Sequence, residues 1–84
     1  ENTGHYIWVG DGASEFYDMS LLIQYASAEN AVAGSEIGEA FKARFVTIVG
    51  DPIVTEPLRV RLVERGIEVI NYEEVLAANG TNRA

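Results

Sequence analysis

Two aspartates, Asp11 and Asp51, each follow Val-Gly at the close of an apolar run. Paired carboxylates brought to one place can work as acid and base, hold a hard cation, or bind hydroxyl groups such as those of a sugar. Their surroundings are alike. Ile7-Trp8-Val9-Gly10-Asp11 lines up with Thr47-Ile48-Val49-Gly50-Asp51, and Ser14-Glu15 lines up with Thr55-Glu56 after a loop one residue longer. Glycine permits a tight turn, Asp bonds that turn, and Ser or Thr caps an oncoming helix, so the pattern has a structural use without any ligand. If the two runs are neighbouring parallel strands, the same residues gather at one rim. Gly10, Asp11, Ser14, Gly50, Asp51 and Thr55 then line a polar crevice at the carboxyl ends of strands, where open α/β sheets bind ligands. Nothing in the sequence separates the two carboxylates into an acid and a base, so catalysis is not expected. The identity of a cofactor or metal stays open.

Other chemistry-bearing residues are weaker candidates. "GDGASE" places free backbone N–H groups before a helix, but it matches neither G-x-G-x-x-G nor the P-loop, and Asp11 and Glu15 repel phosphate. His5 reads as a surface residue at a strand end, and no serine lies in a G-x-S-x-G elbow. Trp8 reads as core or edge cover. Exposed beside Tyr6 and Tyr17 it would instead make an aromatic patch for a sugar or a partner. Arg59, Arg61 and Arg65 form a solvated helix face, or a surface for the acidic half of a neighbouring copy.

The elements that must position these groups follow from pattern. "HYIWVG" and "RFVTIVG" are β-branched and aromatic runs closed by glycine, and "IEVINY" is a third strand. A helix is expected from Ser14 as N-cap through "EFYDMSLLIQYASAEN", its apolar face formed by Phe16, Met19, Leu22, Ile23 and Ala26. "AVAG" fits a short buried strand or a helix end. Ser35 opens a short helix, "SEIGEAFKA", with Ile37, Ala40 and Phe41 on one face. Thr55 caps a helix that runs through "LRVRLVERG" and stops at Gly66, and "EEVLAANG" is a last short helix. Strands alternating with helices imply parallel pairing. The expected fold is one α/β domain over residues 1–84: a small open parallel sheet of about three strands built from Rossmann-like βαβ units with helices packed on it. So few strands, with exposed edges, predict self-association or a piece of a larger protein.

Composition bounds the function. At 84 residues the core is small, and without cysteine neither disulfides nor thiolate metal sites are available. The net charge is −7, and residues 1–41 carry no Lys or Arg at all. That balance argues against nucleic acid and against an anionic membrane surface as partners. No run reaches the roughly 20 apolar residues of a membrane span.

"WVGDGASEFYDMSLLIQYA" followed by "ARFVTIVGDPIVTEPLRVRLVERGIEVINY" resembles the type 2 cell wall-binding repeat of Gram-positive surface proteins. Phe16 and Asp18 match its Phe-x-Asp helix start, and Val46, Ile48, Val49, Gly50, Gly66 and Val69 match its second half. The family's Arg-Tyr-x-Thr-Ala segment is missing, and Asp51 replaces its second turn glycine. The resemblance implies a non-catalytic module that attaches a secreted protein to wall polymer, in copies that pack together, and hence a cell-surface location. Without it the cytoplasm is the expectation. The sequence therefore supports a non-catalytic binding or assembly module, with polysaccharide or protein partners. The alternative is a Rossmann-like fragment of an enzyme or ligand-binding protein with its site at the strand ends.

Overall fold

The computed structural model describes residues 4–50 and 52–81, with the side chains of Phe16, of 52–54 and of 78–81 excepted. Four strands, β1 (His5–Val9), β2 (Val32–Gly34), β3 (Phe45–Val49) and β4 (Glu68–Asn71), pair in parallel in the order β2-β1-β3-β4. "AVAG" is therefore a fourth strand, and it is an exposed edge strand rather than a buried one. The register of the central pair sets Ile7 beside Thr47, Trp8 beside Ile48 and Val9 beside Val49. The Val-Gly ends of the two runs, Val9-Gly10 and Val49-Gly50, lie side by side.

The helices are α1 (Ala13–Phe16), α2 (Met19–Glu29), α3 (Ile37–Lys42), α4 (Pro52–Glu64) and α5 (Tyr72–Thr81). From β1 the chain moves outward to β2, then crosses back over β1 to β3 and continues to β4. Because parallel crossovers keep one hand, that reversal sends the connecting helices to opposite faces. On one face Ile7, Val49, Ala13, Leu22 and Tyr72 form a buried cluster with α2 and α5. On the other, Tyr6, Trp8, Val46 and Ile48 pack against Ala40 of α3 and against Leu58 and Leu62 of α4. Strand residues alternate between these clusters, so β1 and β3 are covered on both sides, as their continuous apolar runs require.

Local chemistry moves three helix starts from where pattern alone places them. Ser14 is exposed within α1, whose N-cap is Gly12 in the left-handed region at φ 79°. The long helix expected from Ser14 is broken at Tyr17, which is extended, and restarts with Asp18 as N-cap. Asp18 accepts bonds from the Ser20 N–H at 2.9 Å and the Ser20 hydroxyl at 2.7 Å, a local bond that competes with continuing the helix. The restart turns Ile23 out to 69% exposure, while Leu22 is buried and Met19, Tyr25 and Ala26 pack beside it. Thr55 is not a cap either: α4 begins at Pro52, where the fixed proline φ suits a first helical position, and Thr55 is buried in its first turns. Pro57 lies inside that helix and removes one N–H from its ladder. Ser35 precedes α3, whose N-cap is Glu36 without a side-chain bond.

His5 departs furthest from expectation, because it is buried. Its Nε2 lies 2.7 Å from the Thr47 hydroxyl and its Nδ1 lies 3.7 Å from Glu29 on α2. Tyr25, also on α2, shares a hydrogen bond of 3.0 Å with that hydroxyl. The Thr47 hydroxyl, on a fully buried residue, thus has two hydrogen-bond partners. The rings of Tyr25 and Phe45 pack edge-on against the imidazole.

Two predictions follow from this packing. Leu62 is fully buried, so Leu62→Ala destabilises by about 2–5 kcal/mol, whereas Val63→Ala, at a half-exposed neighbour, changes stability by no more than about 0.5 kcal/mol in chemical denaturation. Burial lowers the pKa of His5, and the Glu29 carboxylate only partly opposes this. The unfolded chain then binds the extra proton, so stability is full above the ordinary histidine value of 6.5 and declines as pH falls below it. The denaturation midpoint should fall between pH 7 and pH 5 in the native chain and far less in His5→Gln. Equal slopes in the two proteins would clear His5 of that role.

Candidate functional site

The direction of chain travel reverses between β1 and β3, since β2 follows β1 on one side and β4 follows β3 on the other. At such a switch point the loops leaving adjacent strands diverge to opposite faces and leave a crevice at the carboxyl ends. Gly10 and Gly50 mark its floor. The Gly10 N–H donates to the Val49 carbonyl at 2.8 Å, extending the ladder one residue beyond the strands. Gly50 takes φ 148°, and a Cβ there would stand 3.2 Å from the Thr55 methyl and 3.6 Å from Gly10 Cα. Glycine at this position is thus set by backbone conformation and by the closeness of the other turn.

Beside these turns opens a cavity of about 410 Å³. Trp8, Val9 and Asp11 line it from β1 and its turn, Ser35 and Ile37 from the β2–α3 segment, and Pro57, Leu58 and Arg61 from α4. The side chains converge from three stretches of chain that share one rim. Apolar surface comes from Trp8, Ile37, Pro57 and Leu58, and polar groups come from Asp11, Ser35 and Arg61. This mix, an apolar wall with few polar groups, is typical of small-molecule sites, as is the volume.

Electrostatically the site is divided. Asp11 is exposed, and among the described residues neither Asp11 nor Arg61 takes part in an ion pair. Arg61 on α4 and Arg65, just past the end of that helix, both lie over the Phe41 ring, at 5.4 and 4.9 Å from its centre. Arg59, by contrast, is paired with Glu56 on its own helix, and this bond lowers the Glu56 pKa and raises that of Arg59. The arginine cluster therefore divides between one intrahelical pair and two cations held by an aromatic ring. Trp8 supplies the remaining polar group. Its indole is 8% exposed, and among the described residues its Nε1–H finds no partner. A buried N–H left unpaired costs about 1–3 kcal/mol.

The residues singled out by pattern are distributed as follows. Gly10 and Gly50 come together at the switch point, and the Thr55 methyl touches their turn. Asp11 lines the cavity; Ser14 lies exposed on α1. Asp51 lies outside the described residues. Trp8 and Tyr6 are buried, so no exposed aromatic patch forms from them and Tyr17. Pattern missed Ser35, Ile37, Pro57 and Leu58, whose approach depends on chain topology.

Two other arrangements were weighed for chemistry. Glu29, His5 and Thr47 stand in the order carboxylate, imidazole, hydroxyl, as in nucleophilic catalysis, but Thr47 is fully buried and also bonded to Tyr25, so no substrate reaches it. A larger concavity of about 520 Å³ at the amino ends of β3 and β4, lined by Phe41, Arg44, Arg65 and Glu68 among others, is away from the switch point. No group of three His, Asp or Glu side chains suited to a metal occurs among the described residues. No family model matches the chain, and no curated protein or solved structure matches it.

The glycine at the floor yields a prediction. Gly50→Ala forces a side chain into a backbone region used essentially by glycine and against Thr55, and it should destabilise by about 1–3 kcal/mol in chemical denaturation. A neutral result would mean that the turn relaxes freely.

Proposed function

We propose that this chain is a non-catalytic binding module that takes a small ligand in the cavity beside the Gly10 and Gly50 turns, between the β1 turn, the β2–α3 segment and α4. The observation that carries this reading is the cavity's lining: Trp8, Ile37, Pro57 and Leu58 give it an apolar wall that also presents Asp11, Ser35 and Arg61. Ile37, Pro57 and Leu58 would cover a ligand's apolar part, and Asp11, Ser35 and Arg61 would hold its polar groups. Among the described residues Asp11 is the carboxylate on that wall and no imidazole lines it, so the described side chains supply means to hold a molecule rather than an acid–base pair.

A second reading is assembly. Among the described residues no strand pairs with the outer edge of β2, and Val32 and Ile37 are each 48% exposed. Uncovered edges of this kind pair with other chains. The resemblance to cell wall-binding repeats belongs with both readings, since it too describes a module without chemistry. The charge of −7 would direct an anionic polymer to the Arg61–Arg65 face.

Amide-resolved NMR of the labelled chain separates the two. Adding a panel of amino acids, small carboxylates, nucleosides and monosaccharides should shift the Trp8 indole N–H together with the Gly10, Asp11 and Ser35 amides for at least one class. Concentration-dependent changes along Val32–Gly34, with the crevice unmoved by every compound, would overturn the small-ligand reading in favour of assembly.

A further inference from the structure

The charges of the crevice define a ligand class. Asp11 and Arg61 line one cavity from different elements, Asp11 on the β1 turn and Arg61 on the helix crossing beside it. Neither forms an ion pair with the other or with any other described side chain. Opposite charges that share a cavity without meeting leave a gap that a molecule carrying both charges would bridge. The surface between them is apolar, from Trp8, Ile37, Pro57 and Leu58.

Resting on the binding reading above, we infer that the crevice receives a small zwitterion with an apolar body, the chemistry shared by a free apolar amino acid and a short apolar peptide. Its ammonium group meets Asp11 and its carboxylate meets the Arg61 guanidinium, whose planar fork takes a carboxylate through two hydrogen bonds. The Phe41 ring beneath Arg61 holds that guanidinium in place and limits the freedom it loses on binding. Ser35 supplies a further donor to ligand oxygens, while the apolar body lies against Trp8, Ile37, Pro57 and Leu58. A simple anion meets repulsion from Asp11 and a simple cation meets Arg61, so both charges together are the selective feature.

The test is a calorimetric titration of the chain with L-leucine and L-phenylalanine, and with the dipeptide Leu-Leu, each beside its N-acetyl and C-terminal amide form. The inference predicts binding of at least one zwitterion and weakening of about tenfold or more when either terminus is blocked. Tighter binding of the amino acids than of Leu-Leu assigns the free amino acid, and the reverse assigns the peptide. Asp11→Asn should erase the penalty for blocking the amine, and Arg61→Gln the penalty for blocking the carboxylate. Both residues are exposed, so each variant keeps its fold, which circular dichroism checks. Equal affinity for blocked and free forms overturns the inference and leaves the binding reading standing. Absence of binding by all these compounds, with Trp8 and Asp11 shifted by an uncharged compound of the NMR panel, overturns the inference likewise. Silence of the crevice toward both sets overturns the two together.

Discussion

Five residues of β1 lie in register beside five of β3, from His5 against Phe45 to Val9 against Val49, and this parallel pairing holds the rest of the structure. It supplies the apolar floor of both faces, since Tyr6, Trp8, Val46 and Ile48 point one way and Ile7, Val49 and the bonded pair His5–Thr47 the other. Neither strand can leave the pair without exposing both cores at once. Because β2 and β4 add on opposite sides, the same pairing also creates the switch point. The site is thus a consequence of sheet order, and the glycines at its floor are the condition for two turns to stand so close.

The two faces use their burial differently. Around Trp8 the packing is apolar and includes one indole N–H without a described partner, whereas around Thr47 three polar side chains satisfy one another under α2. Polar groups in a core are favourable only when fully bonded, so the His5–Thr47–Tyr25 set fixes the seat of α2 on the sheet at the cost of sensitivity to acid. The unpaired indole is the opposite case. A buried donor without a partner costs about 1–3 kcal/mol.

Much of this arrangement was legible in the residues. The β-branched and aromatic runs at 5–9, 45–49 and 68–71 are strands, and the likeness of Ile7-Trp8-Val9 to Thr47-Ile48-Val49 coincides with their register in the sheet. Asp11 at a strand's carboxyl end was legible for the same reason. Val32–Gly34 was not, because three small or exposed residues carry no burial pattern and become a strand only by pairing with β1. The start of α4 was obscured by Thr55-Glu56-Pro57, a better local cap than Pro52 provides. His5 misled because a lone histidine near a strand end looks solvated until Thr47, two places beyond its partner Phe45, is known to face it. The remaining walls of the crevice, Ser35, Ile37 and Arg61, are brought in by the chain's return over β1, which no local window contains.

The most direct measurement is a scalar coupling across the hydrogen bond from the Gly10 amide nitrogen to the Val49 carbonyl carbon, read in a labelled sample. A resolved coupling at that pair, with a slowly exchanging Gly10 amide, is the predicted result and places the two turns side by side at the switch point. A Gly10 amide that exchanges freely and shows no coupling to Val49 would mean that the ladder ends earlier, and the crevice built on it would lose its floor.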